Sequence, residues 1–337
     1  TALAPEPAPS KEADADTDFA KDLIDLLLTP EKEAVKSAAN WGYLDRIEIK
    51  DASIIVSDRK NHMTWFLPQI NAAINRWDKG LNAKIDLDLA PYSEERENLI
   101  NTEVSFERNT DKIEAKINVE NFDPSILSRY IRELEPLRSQ DARINGRFTT
   151  ILDTKFNLDN AVLDLSIPEL NLNLPDQYDE KKRINDIVVS GFYDALDKNF
   201  QFDLRSMEVA QTTLSGKIFG TYEGADYTIK TQIDTDKLPL DFFDEYWPNS
   251  LKAESAAQWL TQKLSIGSFS DVIGTAEFNY NTQSRDFASR DLRLDFAFKD
   301  IDIDYRPPLM PVHSAQGTGF LTLDKIDLSV EKAMVQD

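Results

Sequence analysis

Apolar residues recur at every second position along most of the chain. In "AKIDLDL", for example, Ile85, Leu87 and Leu89 alternate with charged neighbours. Successive side chains of a β-strand point to opposite faces, so this period predicts strands with one apolar and one polar face. About fourteen such segments follow one another, linked by short turns rich in Asn, Asp, Gly and Lys. Parallel strands covered on both faces have unbroken apolar runs, so the alternation predicts an antiparallel sheet.

A helical period of 3.6 residues interrupts this alternation in a few places. Apolar spacings of three and four predict helices in four segments: 17–40, 68–79, 124–138 and 241–267. The third begins with Asp123 as an N-cap candidate and Pro124 at the first helical position. The chain is therefore expected to divide into a flexible linker rich in Ala, Pro and acidic residues (1–16), a helical lead-in (17–40), a first sheet section (41–240), a helical insert (241–267) and a second sheet section (268–337).

The number of strands constrains the architecture. Fourteen strands spaced about 4.8 Å apart would form a flat sheet about 65 Å wide, and twisted open sheets rarely exceed about ten strands. We therefore expect the sheet to bend as a sandwich, to close on itself, or to curl into a trough capped by helices and partly filled by an apolar ligand. The alternation also slips between Phe298 and Ile301, which predicts a β-bulge or a turn at Lys299 and Asp300.

Composition excludes several functional classes. The chain has 38 Lys and Arg against 60 Asp and Glu, a net charge of −22, so most of its surface would repel a nucleic-acid backbone. It has no cysteine, which excludes disulfides, thiolate metal sites and a cysteine nucleophile. With 41% hydrophobic residues it is expected to fold. The sequence contains no run of about 18 apolar residues, so it predicts no transmembrane helix.

No catalytic motif is found in the sequence. The two histidines, His62 and His313, lie in turn-like contexts, and no metalloprotease, serine hydrolase or P-loop pattern is present. Acidic residues of segment 14–25 approach the spacing of a calcium loop, but Phe19 stands where that loop requires glycine. We therefore expect no enzymatic activity, no bound metal and no cofactor.

The order of aromatic, proline and glycine residues in the second half resembles a known family. In "YWPNSLKAESAAQWLTQKLSIGSFSDVIGTAEF" a Tyr-Trp-Pro triplet precedes a second tryptophan and then a glycine. A later strand ends in a tyrosine before a proline-containing loop. The signature positions are Tyr246, Trp247, Pro248, Trp259, Gly267 and Tyr305. Together with "RIEIKDASIIVSDRKNHMTWFLPQINAAI", this order resembles the AsmA-like envelope proteins of Gram-negative bacteria, and among them the YhdP branch. The resemblance covers most of residues 40–330.

This resemblance implies a long curled sheet, shaped like a taco, with an apolar inner face, akin to bridge-like lipid transfer proteins. It implies a periplasmic location and a parent protein anchored in the inner membrane by a segment that this chain lacks. The chain is therefore expected to be one section of a longer protein. The implied partners are phospholipid or fatty acyl chains, the membrane and other envelope proteins, and the implied activity is movement of phospholipid toward the outer membrane.

A lipid conduit requires an uninterrupted apolar surface. Each buried methylene is worth about 0.8 kcal/mol, so an acyl chain of about sixteen carbons would lose roughly 10 kcal/mol on exposure to water. The candidate groove-lining residues are Ile85, Leu87, Leu89, Ile117, Val119, Leu163, Leu165, Phe200, Phe202, Phe278, Tyr280, Leu294, Phe296 and Phe298. The alternative for each is a core position that contacts protein alone. The corresponding function would be a non-enzymatic envelope scaffold or a TamB-like assembly factor with a dry core.

Overall fold

One antiparallel sheet contains most of the residues that the computed structural model describes. These residues are 45–58, 63–89, 98–129, 137–155, 157–249, 255–284, 286–305 and 310–335. The predicted linker (1–16), helical lead-in (17–40) and His62 lie outside them. The sheet has 17 strands, is curled, and is not closed on itself, so the predicted mainly β class is confirmed.

The strands follow one another across the sheet in chain order. The first nine are β1 (Arg46–Asp58), β2 (Met63–Trp77), β3 (Gly80–Asp88), β4 (Leu99–Glu107), β5 (Lys112–Phe122), β6 (Asp141–Ala142), β7 (Ile144–Asp153), β8 (Leu158–Leu172) and β9 (Lys182–Asp194). The other eight are β10 (Asn199–Val209), β11 (Thr212–Glu223), β12 (Asp226–Pro239), β13 (Leu264–Ser265), β14 (Ser268–Asn281), β15 (Phe287–Ile303), β16 (Val312–Thr322) and β17 (Ile326–Met334). The short strands β6 and β13 pair with β8 and β15.

The register aligns alternate side chains of neighbouring strands into two continuous faces. One row of directly opposed residues crosses six strands: Ile117, Phe148, Leu163, Gly191, Phe202 and Ile218. We call the face that carries this row the apolar face. The opposite side, which carries Lys84 and Asp164, is called the polar face. Such alignment follows from the period of two, since any slip by one residue would move a strand's apolar side chains to the other face.

Cross-strand ion pairs lie on the polar face, which also carries exposed apolar side chains: Val162, Phe192 and Phe219. Lys230 Nζ lies 3.6 Å from Glu277 Oε2, and Arg205 Nη2 lies 3.2 Å from Asp164 Oδ1. Three of these side chains are at least 60% exposed and Glu277 is 29% exposed, so each pair stabilises the fold by about 1 kcal/mol or less. Their main consequence is a hydrated outer surface that does not stack on another sheet.

The predicted helix over 68–79 is wrong, because this segment belongs to strand β2. Against β1, the register on β2 advances three residues, from Leu67 to Ile70, while β1 advances only two. The extra residue forms a β-bulge at Pro68 and Gln69, which gives the strand an apparent helical spacing. Proline is tolerated there because the hydrogen-bond ladder is already interrupted.

The predicted helix over 124–138 is a 3-10 helix, Pro124–Arg129, in its described first part. Asp123 caps it as predicted, since its Oδ1 accepts a hydrogen bond of 2.8 Å from the Ser125 N–H. Residues 130–136 lie outside the described chain. The predicted β-bulge is confirmed by a register shift between Phe298 and Ile301 and by a left-handed φ of 57° at Asp300.

The helical insert contains two short α-helices, α1 (Asp241–Tyr246) and α2 (Ser255–Lys263). Trp247 ends α1 with an extended backbone (φ −72°, ψ 124°). This follows from Pro248, whose ring disfavours a helical conformation in the residue before it. The chain re-enters the sheet at β13, slightly before the predicted end of the insert.

Candidate functional site: an apolar groove

The apolar face is covered at one end of the sheet only. Near the C-terminus it forms a buried core with α1 and α2, which we call the sealed end: Leu238, Phe243, Leu260, Leu264, Phe269, Val272, Phe296, Phe298, Ile301, Ile303, Ala315 and Leu321. Along β8–β12, which we call the open section, most apolar-face side chains are only half-buried. Ile218 is 37% exposed and Ile233 is 42% exposed. The groove is the concave apolar face, and its open section is accessible from outside.

The register places all the predicted lining residues that belong to strands on the apolar face. Leu89 lies just past the end of β3 and is half-buried. In the open section, Leu163 lies opposite Gly191, and Leu165 lies opposite Gly146 and Val189. The others on this face are Ile85, Leu87, Ile117, Val119, Phe200, Phe202, Phe278, Tyr280, Leu294, Phe296 and Phe298. The set is therefore one connected surface.

Phe296 and Phe298 differ from the rest of this set because they belong to the sealed end. They are 4% and 2% exposed. The Phe296 ring stacks on Phe269 with a centroid distance of 4.0 Å, and Phe243 of α1 meets Phe269 edge-on at 5.8 Å. These contacts make Phe296 and Phe298 core positions covered by protein, as the alternative interpretation of the sequence allowed.

Most of the signature residues surround the sealed end. Trp247 packs on Phe243 with ring centroids 5.2 Å apart, and Trp259 of α2 packs against the same core. Gly267 has a φ of +89°, and a Cβ there would lie 2.7 Å from the Asp300 carbonyl oxygen. Only glycine fits this position, because the strand turns against the β15 bulge. Tyr305 does not join this group, since it is 44% exposed past the end of β15.

Tyr246 and Pro248 lie on the outer side of α1. The ammonium of Lys182 lies 5.4 Å from the centre of the Tyr246 ring, a cation–π contact between the end of β9 and the helix. Burial and the neighbouring Glu245 raise the pKa of Tyr246. Pro248 is half-buried. Tyr246, Trp247 and Trp259 therefore hold the insert against the sheet, and Trp247 also lines the pocket of the groove.

A pocket lies where the open section meets α1. Its volume is about 450 Å³, and its walls come from β10, β11, β12, β14, β15 and α1. The lining includes Leu214, Ile218, Ile233, Phe243, Trp247 and Gly274. Among the residues that line it on the apolar face, none is charged. Pockets of this size and composition bind small apolar ligands.

Glycines on the apolar face allow large side chains to lie flat against the sheet. A Cβ at Gly220 would lie 2.0 Å from Cζ of Phe200, and one at Gly191 would lie 2.2 Å from Cδ1 of Phe202. Each aromatic ring therefore occupies the space above a glycine on the neighbouring strand. Aromatic rings therefore line the bottom of the groove without projecting far into it.

Three tyrosines line the rim of the groove beyond the pocket. Tyr193 and Tyr222 stack at 5.8 Å, and Tyr222 and Tyr227 stack at 5.4 Å. The hydroxyl oxygens of Tyr193 and Tyr222 are 2.6 Å apart and share one hydrogen bond. Burial and this bond raise the pKa of Tyr193 to about 12, so the phenol stays protonated at neutral pH. One hydroxyl hydrogen of the pair remains available to an acceptor.

The sequence prediction included Phe278, Leu294 and Tyr280 but missed other residues of the pocket and rim. Ile218 and Ile233 follow the same alternation as the predicted set, so their period was a usable signal. Tyr222 and Tyr227 flank the β11–β12 turn at Gly224, and their pairing follows from that turn. The pocket wall contributed by Phe243 had no local signal, because it depends on where α1 packs.

The described part of the chain has no group of side chains arranged for metal binding or for acid–base catalysis. No group of three or more potential metal-ligating side chains occurs there. His313 Nδ1 lies 2.9 Å from Asp302 Oδ2, and the Ser314 N–H donates to Asp302 Oδ1 at 3.0 Å. The His313 hydrogen bond and then the Ser314 bond lower the pKa of Asp302. This pair joins the last residues of β15 to the first residues of β16.

Comparison with known proteins identifies no relative. No family model matches the chain, and neither a curated protein nor a solved structure matches it. Within the described ranges, no helix has the length and apolar character needed to cross a membrane.

Proposed function

We propose that the groove binds the acyl chains of lipids, and that the chain is a periplasmic section of an AsmA-like, YhdP-type protein that carries phospholipid between the inner and outer membranes. The observation that supports this proposal is the open section. Its apolar face is continuous over β8–β12, yet Ile218 and Ile233 remain more than a third exposed. Contiguous exposed apolar surface of this kind is typical of a ligand or partner site.

Transfer energetics favour hydrocarbon as the ligand. Covering exposed apolar surface stabilises by about 25 cal/mol per Å². An acyl chain lying along the strands would cover the leucines, isoleucines and phenylalanines of the floor and would itself leave water. The charged side chains of the polar face would stay hydrated. The same apolar contacts repeat from strand to strand, so a bound chain could move across the sheet without a large change in free energy.

The second candidate function is an envelope scaffold with a dry core. The sealed end favours it, since Phe269 and Ala315 are 0% exposed and leave no room for a ligand. A scaffold that buried its apolar face against a protein partner would have the same open section in isolation. The two functions therefore differ in what contacts that section in the cell.

Site-specific photocrosslinking distinguishes them. A photoreactive amino acid at Leu165 would lie on the apolar face, and one at the adjacent Asp164 would lie on the polar face, so each is a matched control for the other. We expect lipid adducts at position 165 only, detected by mass spectrometry of the protein purified from cells. Protein adducts at 165 without lipid would favour the scaffold. Absence of adducts at both positions would contradict lipid binding.

A further inference from the structure

The pocket beside α1 has the dimensions of one extended acyl chain. It follows β14 from Val272 to Phe278, a length of six residues or about 20 Å at about 3.3 Å per residue. Extended polypeptide advances about 3.5 Å per three backbone bonds, so an extended hydrocarbon of sixteen carbons spans about 18 Å. The pocket volume of about 450 Å³ would hold about fifteen methylene groups, if each takes up about the ~30 Å³ that one water molecule occupies in the liquid.

The two ends of this pocket differ chemically. One end stops at Phe243 and Trp247 of the insert and at the buried Val272, which pack in the core of the sealed end. The other end approaches the rim, where Tyr280 follows Phe278 on the apolar face and is paired with Tyr227 on β12. The α1 end of the pocket is therefore bounded by aromatic side chains, with the buried Trp247 Nε1 as a polar atom that has no hydrogen-bond partner, and the other end is bordered by phenol groups.

The rim supplies a hydrogen-bond donor beyond the Phe278 end of the pocket. Tyr227 stacks on Tyr222, whose hydroxyl is bonded to that of Tyr193 at 2.6 Å. A pair of hydroxyls that shares one bond leaves one O–H free, and a carboxylate or ester carbonyl accepts such a donor. The polar end of a lipid would be placed there, while its tail would run toward α1.

We propose that this pocket is a binding site for a single linear acyl chain of about sixteen carbons, with its methyl end against Phe243 and Trp247 and its carbonyl end at the Tyr193–Tyr222 pair. This inference rests on the proposed function and adds a chain-length preference to it. The closed α1 end sets the limit, because a longer chain meets the sealed core. The occupant is an acyl carbonyl compound, either a free fatty acid or a phospholipid.

Gly274 offers a way to shorten the pocket. A Cβ there would meet Leu294 Cδ1 at 3.2 Å and the Ile233 carbonyl oxygen only at 3.8 Å, so a side chain fits and points into the cavity. The neighbouring Thr275 borders the same pocket, but its register places its side chain on the polar face beside Lys230 and Glu277, so Thr275→Leu is the matched control. Ala276→Leu, also on the pocket wall, is a second variant should Gly274→Leu not fold.

The experiment measures binding of saturated fatty acids of 10 to 20 carbons, and of phosphatidylethanolamines with the same chains, to the full chain by native mass spectrometry. The wild type is expected to bind best at about sixteen carbons. Gly274→Leu adds four carbons to the pocket wall, so we expect its optimum to shift by about four carbons to shorter chains, and Thr275→Leu to leave it unchanged. Better binding of one lipid series identifies the source of the acyl group.

The outcomes separate the two proposals. If the wild type binds lipid with no length optimum, or if Gly274→Leu and Thr275→Leu behave alike, the acyl-chain site is wrong while the groove function stands. If no lipid of either series binds the wild type, both fail. Tyr222→Phe tests the carbonyl end: affinity is expected to fall about threefold to tenfold with the optimum unchanged, and an unchanged affinity would contradict that placement.

Discussion

The sealed end and the open section have the same alternating sequence pattern, but the apolar face is buried in the first and accessible in the second. Both have alternating strands, an apolar face toward the concave side and charged residues on the other. At the sealed end Phe269 is 0% exposed, whereas in the open section Ile233 is 42% exposed. The difference is the insert: α1 and α2 bury side chains of β12–β16, whereas on the β9–β11 side α1 only forms one wall of the pocket and contacts Lys182. Alternation thus determines which face is apolar, and a separate element determines whether that face is buried.

This comparison also explains the insert with its two tryptophans. Phe243 and Leu260 supply one buried side chain from each helix, and Trp247 and Trp259 pack around them. Two short helices are enough to exclude solvent from several strands, because their aromatic side chains are large. The insert ends the groove on one side and forms the wall of the pocket on the other.

The largest difference is expected when a carboxylate is placed on each part of the apolar face. Phe296→Asp buries a charge in the sealed end and should destabilise the fold by more than about 4 kcal/mol. Leu165→Asp lies in the half-open groove, so the chain should stay folded but lose bound lipid. Urea unfolding followed by circular dichroism, with lipid extraction in parallel, checks both. A folded Phe296→Asp variant with an unchanged midpoint would contradict the distinction.

Truncation of aromatic side chains should give the next largest effect. Phe269→Ala leaves a cavity against Phe296 and Phe243, and we expect a loss of about 3–5 kcal/mol in the free energy of unfolding. Phe202→Ala removes a ring that solvent already contacts, so its cost is expected to be about 1 kcal/mol. Equal losses, measured by urea denaturation, would mean that the open section is as well packed as the sealed end.

Two glycines of the apolar face should tolerate alanine differently. A Cβ at Gly317 would lie 2.0 Å from the Ser329 carbonyl oxygen, which is backbone and cannot rotate away. We expect Gly317→Ala to destabilise by about 1–3 kcal/mol. Gly274→Ala meets only a leucine methyl at 3.2 Å and should change stability by less than about 0.5 kcal/mol. Thermal unfolding of both variants tests this ranking.

The smallest expected effect is the pH response of Asp302 beside the sealed end. Hydrogen bonds from His313 and Ser314 lower its pKa in the folded chain. A lowered pKa adds stability above the unfolded value of about 3.9, and this contribution is lost as the pH falls through the folded value. The Asp302 side chain is 25% exposed, so solvent partly screens these bonds and Asp302→Asn should cost about 1 kcal/mol at pH 7. The loss of unfolding free energy in this variant should be smaller at pH 3 than at pH 7. An equal loss at the two pH values would show that it does not come from the lowered pKa of Asp302.

The period of two was sufficient to predict the sheet, its antiparallel pairing and the polarity of its faces. It also located the β15 bulge, because the slip between Phe298 and Ile301 is visible in the sequence. The same period failed at β2, where the bulge at Pro68 imitates a helical spacing. Local spacing does not separate a bulged strand from an amphipathic helix, and only pairing with β1 and β3 does so.

The candidate site was predictable as a surface but not as a pocket. Leu163, Leu165 and Phe202 share a face because of their parity alone. Phe296 has the same parity but is covered by protein. Its burial depends on Phe243, which lies 53 positions earlier in the sequence and packs on Phe269, the residue that stacks on Phe296. Such long-range contacts have no period, and neither does the meeting of Tyr193 with Tyr222 across two strand connections.

The chain-order topology of the sheet has a consequence for how it assembles and evolves. Nearly every strand pairs with the strand just before and just after it, so few contacts join distant parts of the sequence. Structures of this kind behave as one-dimensional arrays in which stability is passed between neighbours and folding can begin at any hairpin. Adding or deleting one hairpin therefore lengthens or shortens the array while its remaining connections stay the same.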